Sequence, residues 1–168
     1  MELFTLGEGN YTEQDVKESA RAFTGYSHNF EGEFVLRYRH HDSRYKSFFG
    51  RRGRYKGDDI IDIILEEKQC AKFICEKIYS YFVNPKINKR HVSAMAEVFY
   101  KDYSIEGVMR FVFMSDWFYQ SQNIGAKIKS PIDLVIGMAQ TVPIQFKQDK
   151  DLLKIQRVLG QALLDPPN

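Results

Sequence analysis

Apolar residues recur at helical spacing through most of this 168-residue chain. After Gly57, for example, Val92, Met95, Ala96 and Phe99 follow the i, i+3, i+4, i+7 pattern that places four side chains on one face of a helix. The same spacing recurs in the other apolar segments after Gly57, and short loops separate them. This pattern predicts a mainly α fold, a compact bundle of about seven helices whose apolar faces pack together.

Several helix boundaries carry explicit start signals. Thr12 with Asp15, and Ser130 with Asp133, have the spacing of a capping box, in which each side chain bonds the backbone N–H of the other residue. Pro131 takes a first helical position, where its missing N–H is not needed. These signals predict helices that begin just after residues 12 and 130.

The first and last helices also have predicted features of their own. In the first helix, Val16, Ala20 and Phe23 form the apolar stripe that we expect to face the core. The last helix, which includes Leu152, is predicted to stop at the sequence DPPN, residues 165–168, because two prolines cannot continue it.

Residues 33–50, with the sequence EFVLRYRHHDSRYKSFFG, depart from the helical pattern. From residue 34 to residue 39 the side chains alternate with a period of two, which is typical of a β-strand. A turn at Ser43 and Arg44 is predicted to fold the segment back, so that residues 46–49 pair with this strand. The sequence therefore predicts one small antiparallel hairpin beside the helices.

Composition bounds the class of protein. The net charge is only +2, and no apolar run approaches the roughly 20 residues of a membrane span, so the chain as a whole indicates neither a nucleic-acid nor a membrane partner. The length fits one domain, residues 1–168.

Cys70 and Cys75 are five residues apart in a predicted helix, which points them in different directions and excludes a mutual disulfide. We expect buried, unreactive thiols, and we predict no cofactor.

Six ordered motifs, among them ELFTLGEGNYTEQDV, GDDIIDIIL, SPIDLVIG and LGQALLDPPN, resemble the bacterial domain-of-unknown-function family 1800 along the whole chain. That family has no settled biochemical activity, and its members are helix-rich proteins, many of them exported. They are also substantially longer than this chain. The resemblance implies a central fragment, truncated at both ends, whose partners include the missing N- and C-terminal parts, and an exported location in the periplasm or at the cell surface.

Basic and aromatic residues concentrate between residues 37 and 56. Eight Lys or Arg residues oppose the single acid Asp42, a local balance of +7, which leaves −5 for the rest of the chain. Arginines interleaved with aromatic residues are suited to an anionic ligand. The predicted anion-binding residues are Arg37, Arg39, Arg51, Arg52 and Arg54. The alternative is a solvated hairpin whose charge is balanced by the acids of residues 58–67.

The sequence HHD, residues 40–42, raises a second hypothesis. His41 and Asp42, with Lys46, could form an acid–base site, and Asp58 could join His41 and Asp42 around a metal ion. The alternative is structural: Asp42 makes a turn bond and His41 braces the hairpin. No further His or Cys cluster completes a metal set.

Three functions follow, in this order. The first is an uncharacterised helical module of a larger cell-envelope protein, which presents the basic hairpin to an anionic partner or to the missing parts of its own chain. The second is an enzyme or metal-binding domain, with a site near His41, Asp42 and Lys46 that the missing segments complete. Polyanion or nucleic-acid binding ranks last because no motif of defined spacing supports it.

Overall fold

The computed structural model describes residues 1–142 and 148–164. The chain divides into two compact units, Met1–Asn123 and Ile124–Asn168. The expectation of one domain, residues 1–168, stays a prediction. Seven α-helices lie within the described residues, so the mainly α prediction is confirmed.

The first unit contains five α-helices and four short strands. The helices are α1 (Glu13–Ala22), α2 (Gly57–Glu66), α3 (Lys68–Phe82), α4 (Lys89–Phe99) and α5 (Ile105–Met114). The strands are β1 (Tyr26–His28), β2 (Phe34–Leu36), β3 (Lys46–Phe48) and β4 (Arg51–Gly53). Single helical turns lie at Glu2–Leu6, Tyr38–His40 and Asp116–Tyr119.

Two apolar clusters form the core of this unit. In the first, α3, α4 and α5 pack together, and α4 contributes Val92, Met95 and Phe99, as its spacing predicts. The second cluster joins the N-terminal turn, α1, α2 and β3 around Leu6 and Phe48. Because β3 belongs to this second cluster, the core fixes the position of the segment that follows residue 41.

The predicted strand pairing is wrong. Strand β2 pairs with β1 upstream of it, with Tyr26 opposite Leu36, and β3 pairs with β4 downstream. The chain turns between β3 and β4 at Phe49 and Gly50, whose φ angles are 47° and 73°. Two consecutive positive φ values make the tight hairpin turn that matches strand twist. Residues 33–50 therefore belong to two small hairpins rather than to one.

The predicted apolar stripe of α1 is also wrong. Val16, Ala20 and Phe23 are all exposed, Val16 to 42% and Phe23 to 39%. The buried residues of α1 are Asp15, Glu18 and Ala22. Helix α1 thus turns the carboxylates of two of its residues inward.

The second unit contains α6 (Pro131–Thr141) and α7 (Asp149–Val158). The capping box of Ser130 and Asp133 is present, with Pro131 in the first turn, as predicted. The side chain of Gln161 accepts a hydrogen bond from the N–H of Ile132 at 3.3 Å, which links the two ends of this unit. None of the side chains described in it is buried. The prediction that the last helix runs up to DPPN is wrong: α7 ends at Val158, and Gly160 follows with a φ of 79° that a helix cannot continue through. Residues 165–168 themselves lie outside the described residues.

Two further predictions concern thiols and membrane spans. Cys70 and Cys75 are both free and fully buried, so the predicted buried thiols are confirmed. Within the part of the chain that the structure describes, no helix is both long enough and apolar enough to cross a membrane.

Candidate functional site

An open depression of about 670 Å³ lies beside the β3–β4 hairpin. Its lining consists of Arg39, His40, His41, Asp42, Ser43, Arg44, Tyr45 and Arg54. Seven of these eight residues belong to the loop that leads into β3, and Arg54 follows directly after β4. The structure thus brings the predicted histidines, Asp42 and two of the predicted anion-binding arginines to one place.

The carboxylate of Asp42 holds this loop in shape. Arg21 on α1 donates through Nε to Oδ2 at 2.9 Å, and Arg44 donates through Nη2 to the same oxygen at 2.7 Å. The backbone N–H of Arg44 bonds Oδ1 at 3.0 Å, a turn bond of the kind predicted for Asp42. Arg44 and Arg21 hold the pKa of Asp42 far below its usual range. The two guanidinium groups therefore keep this carboxylate charged.

Lys46 lies beneath the same loop. Its side chain is buried, and its Nζ donates to the backbone carbonyls of Asp42 and Arg44. Burial lowers the pKa of the Lys46 ammonium group. Since Nζ points into the protein, Lys46 supports the loop from inside and does not face the depression.

His41 is half-buried, and its imidazole braces α1 against the loop. Nδ1 lies 2.9 Å from the carbonyl oxygen of Thr24, just after α1. Because a carbonyl oxygen only accepts hydrogen bonds, Nδ1 is the donor in this contact. The hydroxyl of Thr24 also accepts the N–H of Asp42 at 2.8 Å. His41 and Asp42 thus join the end of α1 to the start of the site.

Two acids of α1 anchor the outer edge of β3. Glu18 accepts the backbone N–H of Ser47, and Asp15 accepts the N–H of Phe49, each at 3.0 Å. Although burial opposes the change, the Ser47 N–H and Arg21 lower the pKa of Glu18. For Asp15, bonds from Thr12 and Phe49 likewise outweigh burial and lower the pKa. These bonds explain why α1 buries carboxylates.

The bonds from Glu18 and Asp15 to the β3 segment were not predicted from the sequence. Because Arg21 shares its helix with an apolar stripe, the sequence favours a structural ion pair between Arg21 and a downstream acid such as Asp62. The structure instead pairs Arg21 with Glu18 and Asp42. One signal in the sequence could have indicated these bonds. Asp15, Glu18 and Arg21 follow one another at intervals of three residues, so their side chains share a helix face.

Four of the five predicted anion-binding arginines are exposed and carry no ion pair among residues 1–142 and 148–164. These four are Arg37, Arg39, Arg52 and Arg54. The fifth, Arg51, pairs with Glu66 of α2. Among these five arginines, therefore, only Arg51 has its charge balanced by an acid of residues 58–67 within the described residues.

Exposed tyrosines lie among these cations. The guanidinium carbons of Arg52 and Arg54 each lie 5.3 Å from the ring centroid of Tyr45. The Nζ of Lys56 lies 5.7 Å from the ring centroid of Tyr38. Such cation–π contacts orient the cations without neutralising them. We call this group the basic surface: Arg37, Arg39, Arg52, Arg54 and Lys56 with Tyr38 and Tyr45.

The described residues contain no group of metal-ligating side chains that would support the metal hypothesis. Within the described residues, no three His, Cys, Asp or Glu side chains come together as a group that could hold a metal ion, so His41, Asp42 and Asp58 do not form one. The Asp42 carboxylate is instead bonded by two arginines.

The chain matches one family model but no individual protein of known function. No curated protein and no solved structure matches the chain. A family model described as a protein of unknown function (DUF1800) matches residues 1–168. The fold and the match over its whole length agree with the resemblance of its motifs, and the chain belongs to the DUF1800 family.

Proposed function

We propose that this chain is a helical module that binds an anionic ligand through the basic surface. The observation that carries the proposal is the set of four exposed arginines, Arg37, Arg39, Arg52 and Arg54, which lack a carboxylate partner within the described residues. Arg39 and Arg54 line the same depression.

The charge balance supports an external anion. Asp42 is the only acid between residues 37 and 56, and it is already bonded by Arg21 and Arg44. Like charges held close together repel one another, and a bound anion relieves that repulsion. Guanidinium groups also match the paired oxygens of carboxylate, phosphate and sulfate groups.

The bonds of His41, Asp42 and Lys46 favour a structural role over a catalytic one. Asp42 is bonded by two arginines, Lys46 points inward, and Nδ1 of His41 is bonded to the end of α1. The catalytic and metal hypotheses for these residues therefore rank below anion binding. The place in a larger exported bacterial protein rests on the family resemblance alone.

Heparin is a suitable probe because it tests binding of anionic groups without requiring a known ligand. We expect it to bind at low salt and to weaken by about 100-fold between about 50 and about 200 mM salt if about four ion contacts form. The double variant Arg52→Gln/Arg54→Gln should reduce this salt dependence by about half, because two of the contacts are lost.

A matched variant separates this site from net charge. Lys17→Gln/Arg110→Gln removes the same charge from exposed ion pairs with Glu13 and Glu106, outside the basic surface. It should bind heparin as the parent does. The proposal fails if the parent does not bind at low salt, or if the two double variants weaken binding equally.

A further inference from the structure

The β1–β2 hairpin exposes two phenylalanine rings. Phe30, in its turn, is fully exposed, and Phe34 on β2 is 65% exposed. Bonds between Asn29 and Glu33 close the turn: their backbones bond at 3.0 Å, and the Asn29 side chain accepts the Glu33 N–H at 2.8 Å. A closed turn holds Phe30 outward, away from the core. We call Phe30 and Phe34 the aromatic tip.

A chain of contacts joins the aromatic tip to the basic surface. The rings of Phe34 and Tyr26 meet edge to face at 5.0 Å between centroids. Tyr26 in turn lies against Gly57, where an added Cβ would be 2.9 Å from the Tyr26 ring. Gly57 follows Lys56, whose ammonium group lies over Tyr38. Gly57 itself is buried, but Phe34 precedes Arg37 of the basic surface by only three residues, so the aromatic tip lies close to the basic surface.

The charges around the tip differ in sign from those of the basic surface. Glu31 and Glu33 lie between Phe30 and Phe34 in the sequence, and both are exposed. A ligand of uniform negative charge, such as a nucleic acid, would meet repulsion at the tip. Neither phosphates nor sulfates would cover the Phe30 ring. A complementary partner is acidic over the basic surface and uncharged and apolar over the tip.

A protein segment can combine these two chemistries. Four of the five cations of the basic surface are arginines, and its rings are tyrosines. Arginine and aromatic residues dominate the energetic centres of protein–protein contacts, whereas lysine is depleted there. Resting on the proposed anion binding, we propose that the ligand is a segment of a partner protein in which acidic residues contact the basic surface and apolar residues cover Phe30 and Phe34.

Two synthetic peptides of equal length and equal charge test this inference. One alternates Glu with Leu, and the other alternates Glu with Ser. The Glu–Leu peptide should bind about tenfold or more tightly, since covering one phenylalanine ring contributes about 1.5–3 kcal/mol. Isothermal titration calorimetry or fluorescence anisotropy gives both dissociation constants.

A single substitution isolates the aromatic tip. Phe30→Ser should weaken binding of the Glu–Leu peptide about tenfold and leave binding of the Glu–Ser peptide unchanged. Phe4→Ser is the matched control, because Phe4 is 80% exposed in the N-terminal turn. It should change neither constant. Both positions are exposed, so melting curves should coincide with that of the parent.

The outcomes separate this inference from the proposed function. Equal binding of the two peptides, or no effect of Phe30→Ser, overturns the protein-segment inference. If heparin binding still depends on Arg52 and Arg54, the proposed function stands. Tighter binding of phosphatidylglycerol vesicles or oligothymidylate than of the Glu–Leu peptide likewise overturns the inference in favour of lipid or nucleic acid. If the parent protein binds neither heparin nor either peptide, both the proposed function and the protein-segment inference are overturned.

Discussion

Arg21 on α1 and Asp42 in the loop before β3 form an ion pair, with Nε 2.9 Å from Oδ2. The same guanidinium group reaches both oxygens of Glu18 through Nη1, at 2.9 and 2.8 Å. Arg21 thereby connects the acid that anchors β3 with the acid that shapes the candidate site. The loop that carries Arg39 and Arg44 depends on a helix that takes no part in lining the depression.

Replacing Arg21 should loosen this loop. In Arg21→Gln, Glu18 and Asp42 lose a shared partner in a half-buried position, and we expect the melting temperature to fall by several degrees. Heparin binding should weaken although no residue of the basic surface has changed. Lys17→Gln, in the exposed pair with Glu13 on the same helix, should leave melting unaltered. An unchanged melting curve for Arg21→Gln would contradict this role.

Gly25 should tolerate substitution much less well than Gly9. Both have positive φ, 82° and 80°, so alanine strains the backbone about equally, by about 1 kcal/mol. An added Cβ at Gly25 would lie 2.7 Å from the carbonyl oxygen of Arg37, whereas Gly9 has open space. Gly25→Ala should therefore lower the free energy of unfolding by about 1–3 kcal/mol more than Gly9→Ala. Urea denaturation measures both, and equal losses would contradict the close approach.

Acid should destabilise the first unit through the carboxylates of α1. The pKa values of Asp15 and Glu18 are lowered from the usual 3.8 and 4.5. Their stabilising effect is complete above those usual values and is lost as the pH falls through the lower, folded-state values. The free energy of unfolding should therefore drop below about pH 4.5. Asp15→Asn/Glu18→Gln should flatten this drop, and an unchanged slope would contradict the assignment.

Neither cysteine should react in the native protein. Burial raises the pKa of Cys75 to about 12, and burial also raises the pKa of Cys70. Since the thiolate is the reactive form, a thiol reagent at neutral pH should modify neither residue until the chain unfolds. Titration with Ellman's reagent, with and without urea, checks this. Rapid labelling of the native protein would show that one of these thiols is accessible.

Local features of the fold could be predicted because their signals act within one helical turn. The Thr12–Asp15 and Ser130–Asp133 capping boxes form as their spacing indicates. Helix α4 buries Val92, Met95 and Phe99 as its periodicity predicts.

Long-range pairing could not be predicted in the same way. The alternation from residue 34 to residue 39 correctly indicated extended chain, but nothing local chose β1 as the partner of β2. Apolar periodicity likewise favoured Val16 and Phe23 as the buried face of α1. The structure buries Asp15 and Glu18 instead, because N–H groups of the β3 segment, 34 and 29 residues away, need acceptors there.

The sequence by itself determined where helices begin, which helix faces are apolar in α4, and that positive charge gathers between residues 37 and 56. Those properties depend on neighbours within four residues along the chain. Only the tertiary structure decided that Arg51 pairs with Glu66, whereas Arg37, Arg39, Arg52 and Arg54 have no ion pair within the described residues. That distinction depends on which distant carboxylates the fold brings within reach, since an ion pair requires contact in space rather than proximity in sequence.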